Sequence, residues 1–184
     1  MTAARQARAA DLLHFWFHKL RPPQWFARDD AVDAALHRRF APLLTGLSRQ
    51  PLRKFLGDPL TARAAVLLFD QVPRNSFRGD PRAFATDRLA AAITRAALKR
   101  GWHRRLTRTQ RQFLLLPLMH SEYIADQRRS VRYFAANGDA GRKGFARSHY
   151  RMVARFGRFP HRNAVLGRRS SPAEARAVAS GNAW

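Results

Sequence analysis

Apolar residues recur three and four positions apart along almost the whole chain, and strict alternation rich in Val, Ile and Thr is nearly absent. The pattern predicts an all-α fold of about eight helices, near residues 6–20, 30–46, 60–72, 84–100, 108–116, 118–137, 143–157 and 172–180. Pro22-Pro23, Pro51, Pro59, Pro73, Pro81, Pro117 and Pro160 are expected to break them. Asp80-Pro81 and Ser171-Pro172 read as helix starts, a capping residue followed by proline at the first helical position. Thr107 is a candidate cap for the segment from Arg108, and Gly101 and Gly138 are candidate stops. No linker or low-complexity stretch divides the 184 residues, so a single domain (1–184) of antiparallel helix hairpins is expected.

Several polar residues occupy positions where this pattern calls for apolar ones. On a regular helix after Pro117, His120, Ile124, Gln127, Val131 and Phe134 share one stripe, which puts a histidine and a glutamine in the seam. Glu122 and Asp126 share a different face. Between 143 and 157 the stripe is Phe145, His149, Met152, Val153 and Phe156, again with a histidine inside it. A buried neutral imidazole needs hydrogen-bond partners, and two imidazoles that meet can act as acid and base or as ligands. Residues 62–69, ARAAVLLF, are apolar on nearly every side, yet Asp70 and Gln71 follow in the last turn. A carboxylate there opposes the helix dipole and calls for a cation, with Arg74 one turn on and Arg78 two. In RFGRFPHRN (155–163), Arg155, Arg158, His161 and Arg162 gather at a helix end, where guanidinium forks match phosphate or carboxylate. A faint echo links VPRNSFRG (72–79) with FPHRNAVLGR (159–168), each placing Arg-Asn after a proline and a glycine further on.

Composition narrows the chemistry. The absence of cysteine excludes disulfides, thiolate metal sites and cysteine nucleophiles. The phosphate-loop, dinucleotide, zinc-protease and serine-hydrolase motifs are absent, and no ligand spacing calls for a metal. The net charge is +23, with Arg spread from Arg5 to Arg176, so non-specific attraction to nucleic acid is expected at low salt. No apolar run reaches the roughly 18 residues of a membrane span, and no signal peptide is recognised, so a cytoplasmic location is expected.

The segments LLHFWF with QWF (12–26), AVDAALHRRF (31–40), LLFDQVPRNSFRGDPRAFATD (67–87), FLLLPLMHSEYIADQRRSV (113–131) and HYRMVARFGRFPHRNAVLGRRSSPAEA (149–175) together resemble a bacterial family, domain of unknown function 924. The resemblance follows the family's order over nearly the whole chain. It implies an all-helical, tetratricopeptide-like fold and no particular reaction. The family's polar signature maps onto Asp70, Gln71, Arg74, Asn75, Arg78, Asp87, His120, Ser121, Glu122, Asp126, Gln127, His149, Arg155, Arg158, His161, Arg162 and Asn163. The chain departs from the family at His14, where an acidic residue is usual, at Phe55, where a tryptophan is usual, and in its high basic charge.

The first expectation is a binding site, with catalysis open, for an anionic small molecule in a polar pocket of the helical bundle. His120, His149, Glu122 and Asp70 are its candidates for proton handling and orientation. Arg74, Asn75, Arg78, Arg155, Arg158, His161 and Arg162 are its candidates for holding the anion. The alternative is a tetratricopeptide-like scaffold that binds a protein peptide, its polar signature serving as an internal network. The third is nucleic-acid binding through the basic surface.

Overall fold

The helix that organises the first half begins at a strong local signal. Asp58 accepts the Thr61 amide (2.9 Å) and the Thr61 hydroxyl (2.8 Å), with Pro59 at the first helical position. In the computed structural model, which describes residues 3–136 and 140–182, the helix from this cap is one of eight α-helices. They are α1 (Ala3–His14), α2 (Asp30–Leu47), α3 (Pro59–Ser76), α4 (Asp87–Lys99), α5 (Arg108–His120), α6 (Ile124–Ala136), α7 (Ala140–Phe156) and α8 (Pro172–Ala179). Short 3-10 turns join several of them, and no strand occurs among the described residues. The chain is all-helical, as its periodicity predicts. Gly138, a candidate stop, lies outside the described residues.

Packing divides the chain into two compact units, residues 1–78 with 82–117 and residues 79–81 with 118–184. In the first, α3 is buried nearly all round and packs against α1, α2 and α4. Phe55 is buried with its ring edge-on to Phe69 of α3. Phe113 of α5 sits among Trp16, Phe17, Trp25 and Phe26. The helix expected over 6–20 widens into a π-turn at Phe15–Lys19, and the Trp16 carbonyl accepts the Trp25 indole N–H at 2.8 Å. In the second unit α6 and α7 pack together, and Met152, Val153, Phe159 and Ala177 form its core.

Three helix boundaries differ from the sequence expectation. Pro73 lies inside α3 and Pro117 inside α5 rather than ending them. A proline within a helix leaves the carbonyl four residues back without its N–H. For Pro73 that carbonyl is Phe69 O, and the Thr86 hydroxyl donates to it at 2.6 Å. Pro117 frees Phe113 O, and the Thr94 hydroxyl donates to the adjacent Leu114 O at 2.9 Å. Thr86 is thereby engaged away from α4, which starts at Asp87, and Asp80-Pro81 opens only the 3-10 turn Pro81–Ala83. Replacing Thr86 by Val should cost about 1–3 kcal/mol, because Phe69 O would be buried without a donor; urea unfolding measures it, and a neutral result would show that the carbonyl finds another donor.

The third difference is the break after His120. The helix expected over 118–137 is instead the end of α5, a turn at 121–123, and α6. His120 therefore belongs to α5, not to the Gln127 seam. Gln127 Nε2 donates to Met119 O and Ser121 O, both at 2.6 Å, which satisfies carbonyls at the end of α5. Ser121 Oγ donates to Asp126 Oδ2 (3.0 Å) and accepts the Tyr123 N–H (3.1 Å). Phe145, expected in the α7 seam, is 56% exposed; the buried stripe starts at Ala146 and runs through His149, Met152 and Val153.

Candidate functional site

In the first unit the polar signature forms one connected network. Asp70, 0% exposed, accepts from Gln71 Nε2 and pairs with Arg74 at 3.2 Å. Arg74 also donates to Asp70 O at 2.7 Å and to both oxygens of Asp87, at 2.8 and 2.9 Å. Burial opposes the charge on Arg74, but Asp87 and Asp70 outweigh it and raise its pKa. Asn75 donates to Gln71 O (2.8 Å) and accepts from Arg78 (3.0 Å), while Arg78 grips Asp33 with two bonds, at 2.6 and 3.0 Å. Asp70, Arg74, Asn75 and Arg78 are thus brought together, and each of the two arginines already holds protein carboxylate.

In the second unit a different group converges on the buried Phe159 ring. His149 lies edge-on to it with centroids 5.4 Å apart, and His161 is 5.6 Å away. The Arg162 guanidinium sits 4.5 Å from the ring centroid. His120 reaches His149 from the end of α5, with ring centroids 6.3 Å apart. Three imidazoles and one guanidinium therefore share one neighbourhood, with Arg162 and His149 both buried.

The state of His149 is set by its surroundings. Its Nδ1 lies 2.9 Å from Phe145 O, and a carbonyl only accepts, so Nδ1 carries the proton and Nε2 the lone pair. Burial pushes its pKa down to about 3, and the positive groups His120, Arg162 and His161 push the same way. His149 is a neutral imidazole at any ordinary pH.

The loop that carries Phe159, His161 and Arg162 is held by two ion pairs. Glu122 accepts two bonds from Arg168, at 2.9 and 3.0 Å, and the Phe159 amide at 2.7 Å. Burial opposes its ionisation, but the Arg168 and Phe159 hydrogen bonds outweigh that and lower its pKa. Glu174 accepts two bonds from Arg158, at 2.7 and 3.0 Å. The Arg158 hydrogen bond, helped by the Ser171 amide of the α8 cap, lowers the Glu174 pKa to about 2. Asn163 closes the loop onto Ser170 at 3.0 Å, and Gly167 turns it at φ 64°.

The RFGRFPHRN segment is therefore split. His161 and Arg162 join the cluster, Arg158 holds α8, and Arg155 is exposed with its guanidinium over Phe156. The sequence echo is not a structural repeat. Asn75 bonds within its helix, whereas Asn163 bonds across a loop, although Gly79 and Gly167 both take left-handed φ. Sequence reasoning gave no role to Arg168, Glu174 or Phe159. The only mark of Glu174 was scarcity, since Glu122 and Glu174 are the only two glutamates in the chain, and Arg168 is one arginine among many. No group of three or more His, Asp or Glu with metal-holding geometry occurs among the described residues. No helix among them is long and apolar enough to cross a membrane.

Residues 12–182 match the family described as bacterial protein of unknown function, DUF924. A search of curated proteins found no match. Among solved structures, the chain is similar to a protein of unknown function from Agrobacterium tumefaciens. The two are 38% identical over 95% of this chain and 98% of that one, with a TM-score of 0.87. A family match over nearly the entire length, together with this fold likeness, leaves one conclusion: the chain belongs to the DUF924 family of bacterial proteins.

Proposed function

We propose that the protein is a cytoplasmic binding protein for a small anionic molecule, seated at His120, His149, His161 and Arg162 around Phe159. The observation that supports this most is the company His149 keeps. A buried neutral imidazole stands beside two further imidazoles and a buried guanidinium, on a loop fixed by two carboxylate–arginine pairs. In this reading Arg162 supplies charge, and the His120, His149 and His161 rings line the seat around Phe159. A phosphate monoester or a carboxylic acid fits that set. With a pKa near 3, His149 is too weak a base to remove a proton at neutral pH. Arg74, Arg78, Arg158 and Glu122 act as fasteners, because each is matched to an opposite charge of the protein.

Thermal-shift titration with inorganic phosphate, citrate and sugar phosphates tests the reading. A ligand at a hundred times its Kd adds about 2.7 kcal/mol of stability. The expected result is a saturable Tm rise that Arg162→Gln and His120→Gln remove and Arg155→Gln preserves. Equal responses in all three variants would reduce the effect to the general basic charge and overturn the site.

A second reading has its own support. The Asp70–Arg74–Asp87 network is internally matched, as expected of a scaffold whose polar signature only fixes turns. A tetratricopeptide-like scaffold would keep peptide binding after His120→Gln, whereas the anion site would lose its ligand.

A further inference from the structure

Outside these clusters, basic charge gathers at the corner between α4 and α5. From residue 88 to 121 the chain has no acidic residue, while Lys99, Arg100, Arg104, Arg105, Arg108 and Arg111 crowd into thirteen positions, 99–111. The flanking carboxylates are committed, Asp87 to Arg74 and Glu122 to Arg168. Gly101, at φ 72°, turns the chain out of α4 into the 3-10 turn Trp102–Arg105. Arg100, Arg104 and Arg105 are exposed on this corner, and the Arg100 guanidinium lies 5.3 Å from the half-buried Trp102 ring.

A second observation comes from α3. Arg63 is half-buried and reaches the first turn of α5, where it donates to Gln110 Oε1 at 3.0 Å. Gln110 is already occupied in a reciprocal cap with Thr107. Arg63 has no carboxylate partner among the described residues, and its Nε is buried without an acceptor. Burial alone lowers its pKa, with no negative group opposing it. A partly desolvated guanidinium without a counter-charge calls for an anion from outside.

We propose that this corner, Arg100, Trp102, Arg104 and Arg105, with Arg63 reaching the first turn of α5 that follows, is a binding surface for the backbone of single-stranded nucleic acid. Guanidinium forks grip phosphates, and an indole offers a stacking face for a base. The corner presents no fully exposed apolar side chain that could enter a bilayer, since Trp102 and Leu106 are both half-buried. Charge here is concentrated on one turn, which separates it from the diffuse attraction that +23 produces everywhere.

The test compares two charge-matched triple variants of the full chain by fluorescence anisotropy with a labelled 20-nucleotide RNA across a salt series. One is Arg100→Glu, Arg104→Glu, Arg105→Glu. The other is Arg128→Glu, Arg147→Glu, Arg151→Glu, at exposed positions of α6 and α7. The corner triple should weaken binding at least tenfold and flatten the salt slope by about two units, the control triple less than threefold. Trp102→Ala should weaken single-strand binding several-fold and leave the salt slope unchanged, because stacking releases no counterions. Arg→Gln at the same three corner positions, a milder change, guards against misfolding and should show half the effect or more. Equal losses in the two triples would overturn the proposal. So would corner-dependent binding to anionic vesicles with corner-independent binding to RNA.

Discussion

Replacing Arg74 by Met should destabilise the protein by about 3–5 kcal/mol, the cost of stranding buried charge. Arg74 is the common cation of Asp70 and Asp87, and it also donates to the Asp70 carbonyl. Without it, two carboxylates with side chains 0% and 12% exposed face each other across the space the guanidinium filled. Arg74→Lys should recover only part of the loss, because one ammonium cannot reproduce the two-pronged grip on Asp87. Asp70→Asn should cost less than Arg74→Met, since the Arg74–Asp87 pair survives it. Denaturant unfolding at neutral pH measures all three. A loss below about 1 kcal/mol for Arg74→Met would mean that the carboxylates protonate or reach water at little cost.

The second large effect is on the pH dependence of stability. His149 holds its proton only below about pH 3 in the folded protein, against an ordinary value of 6.5. Between these values the unfolded state binds the extra proton and the folded state does not. Stability is therefore full above pH 6.5 and falls as the pH drops, by about 1.4 kcal/mol per unit, or roughly 3 kcal/mol by pH 4.5. His149→Gln keeps an amide donor for Phe145 O and does not titrate, so its stability curve should be flatter over this range. Some slope will remain, because burial and the neighbouring Arg104 and Arg111 also lower the pKa of His103. A further fall is expected between about pH 4.5 and 2, where the unfolded chain protonates Glu174 while the folded protein keeps it ionised against Arg158. Matching slopes for the parent and His149→Gln between pH 7 and 5 would show that the imidazole is hydrated in the native state.

The sequence made the helices legible because a 3.6-residue apolar period is a property of each segment alone. It also exposed Asp70, Gln127 and His149 as polar residues in apolar stripes, and all three are buried. The errors came where a distant side chain changed the local outcome. A proline ends a helix where its freed carbonyl has nowhere to go, and at Pro73 the distant Thr86 hydroxyl takes that carbonyl, Phe69 O. The break at 121–123 depends on Gln127 reaching back to Met119 and Ser121, which leaves no mark on hydrophobic periodicity. Which arginines bind each other's carboxylates is a three-dimensional fact. Arg78 finds Asp33, 45 residues earlier, rather than Asp70, eight residues back along the chain.

The two ion pairs that fix the 157–171 loop also set an order of events for a chain made from its N-terminus. Glu122 emerges 46 residues ahead of Arg168, and Arg158 emerges 16 ahead of Glu174. Until Arg168 has left the ribosome, Glu122 lacks its arginine, although the Phe159 amide is already out. The α6–α7 hairpin can form early, since its partners are neighbours along the chain, but the loop must wait for closures of long sequence separation. The histidine cluster is then among the last parts of this unit to assemble, and a nascent chain halted before residue 168 would carry His120 and His149 with no loop to enclose them.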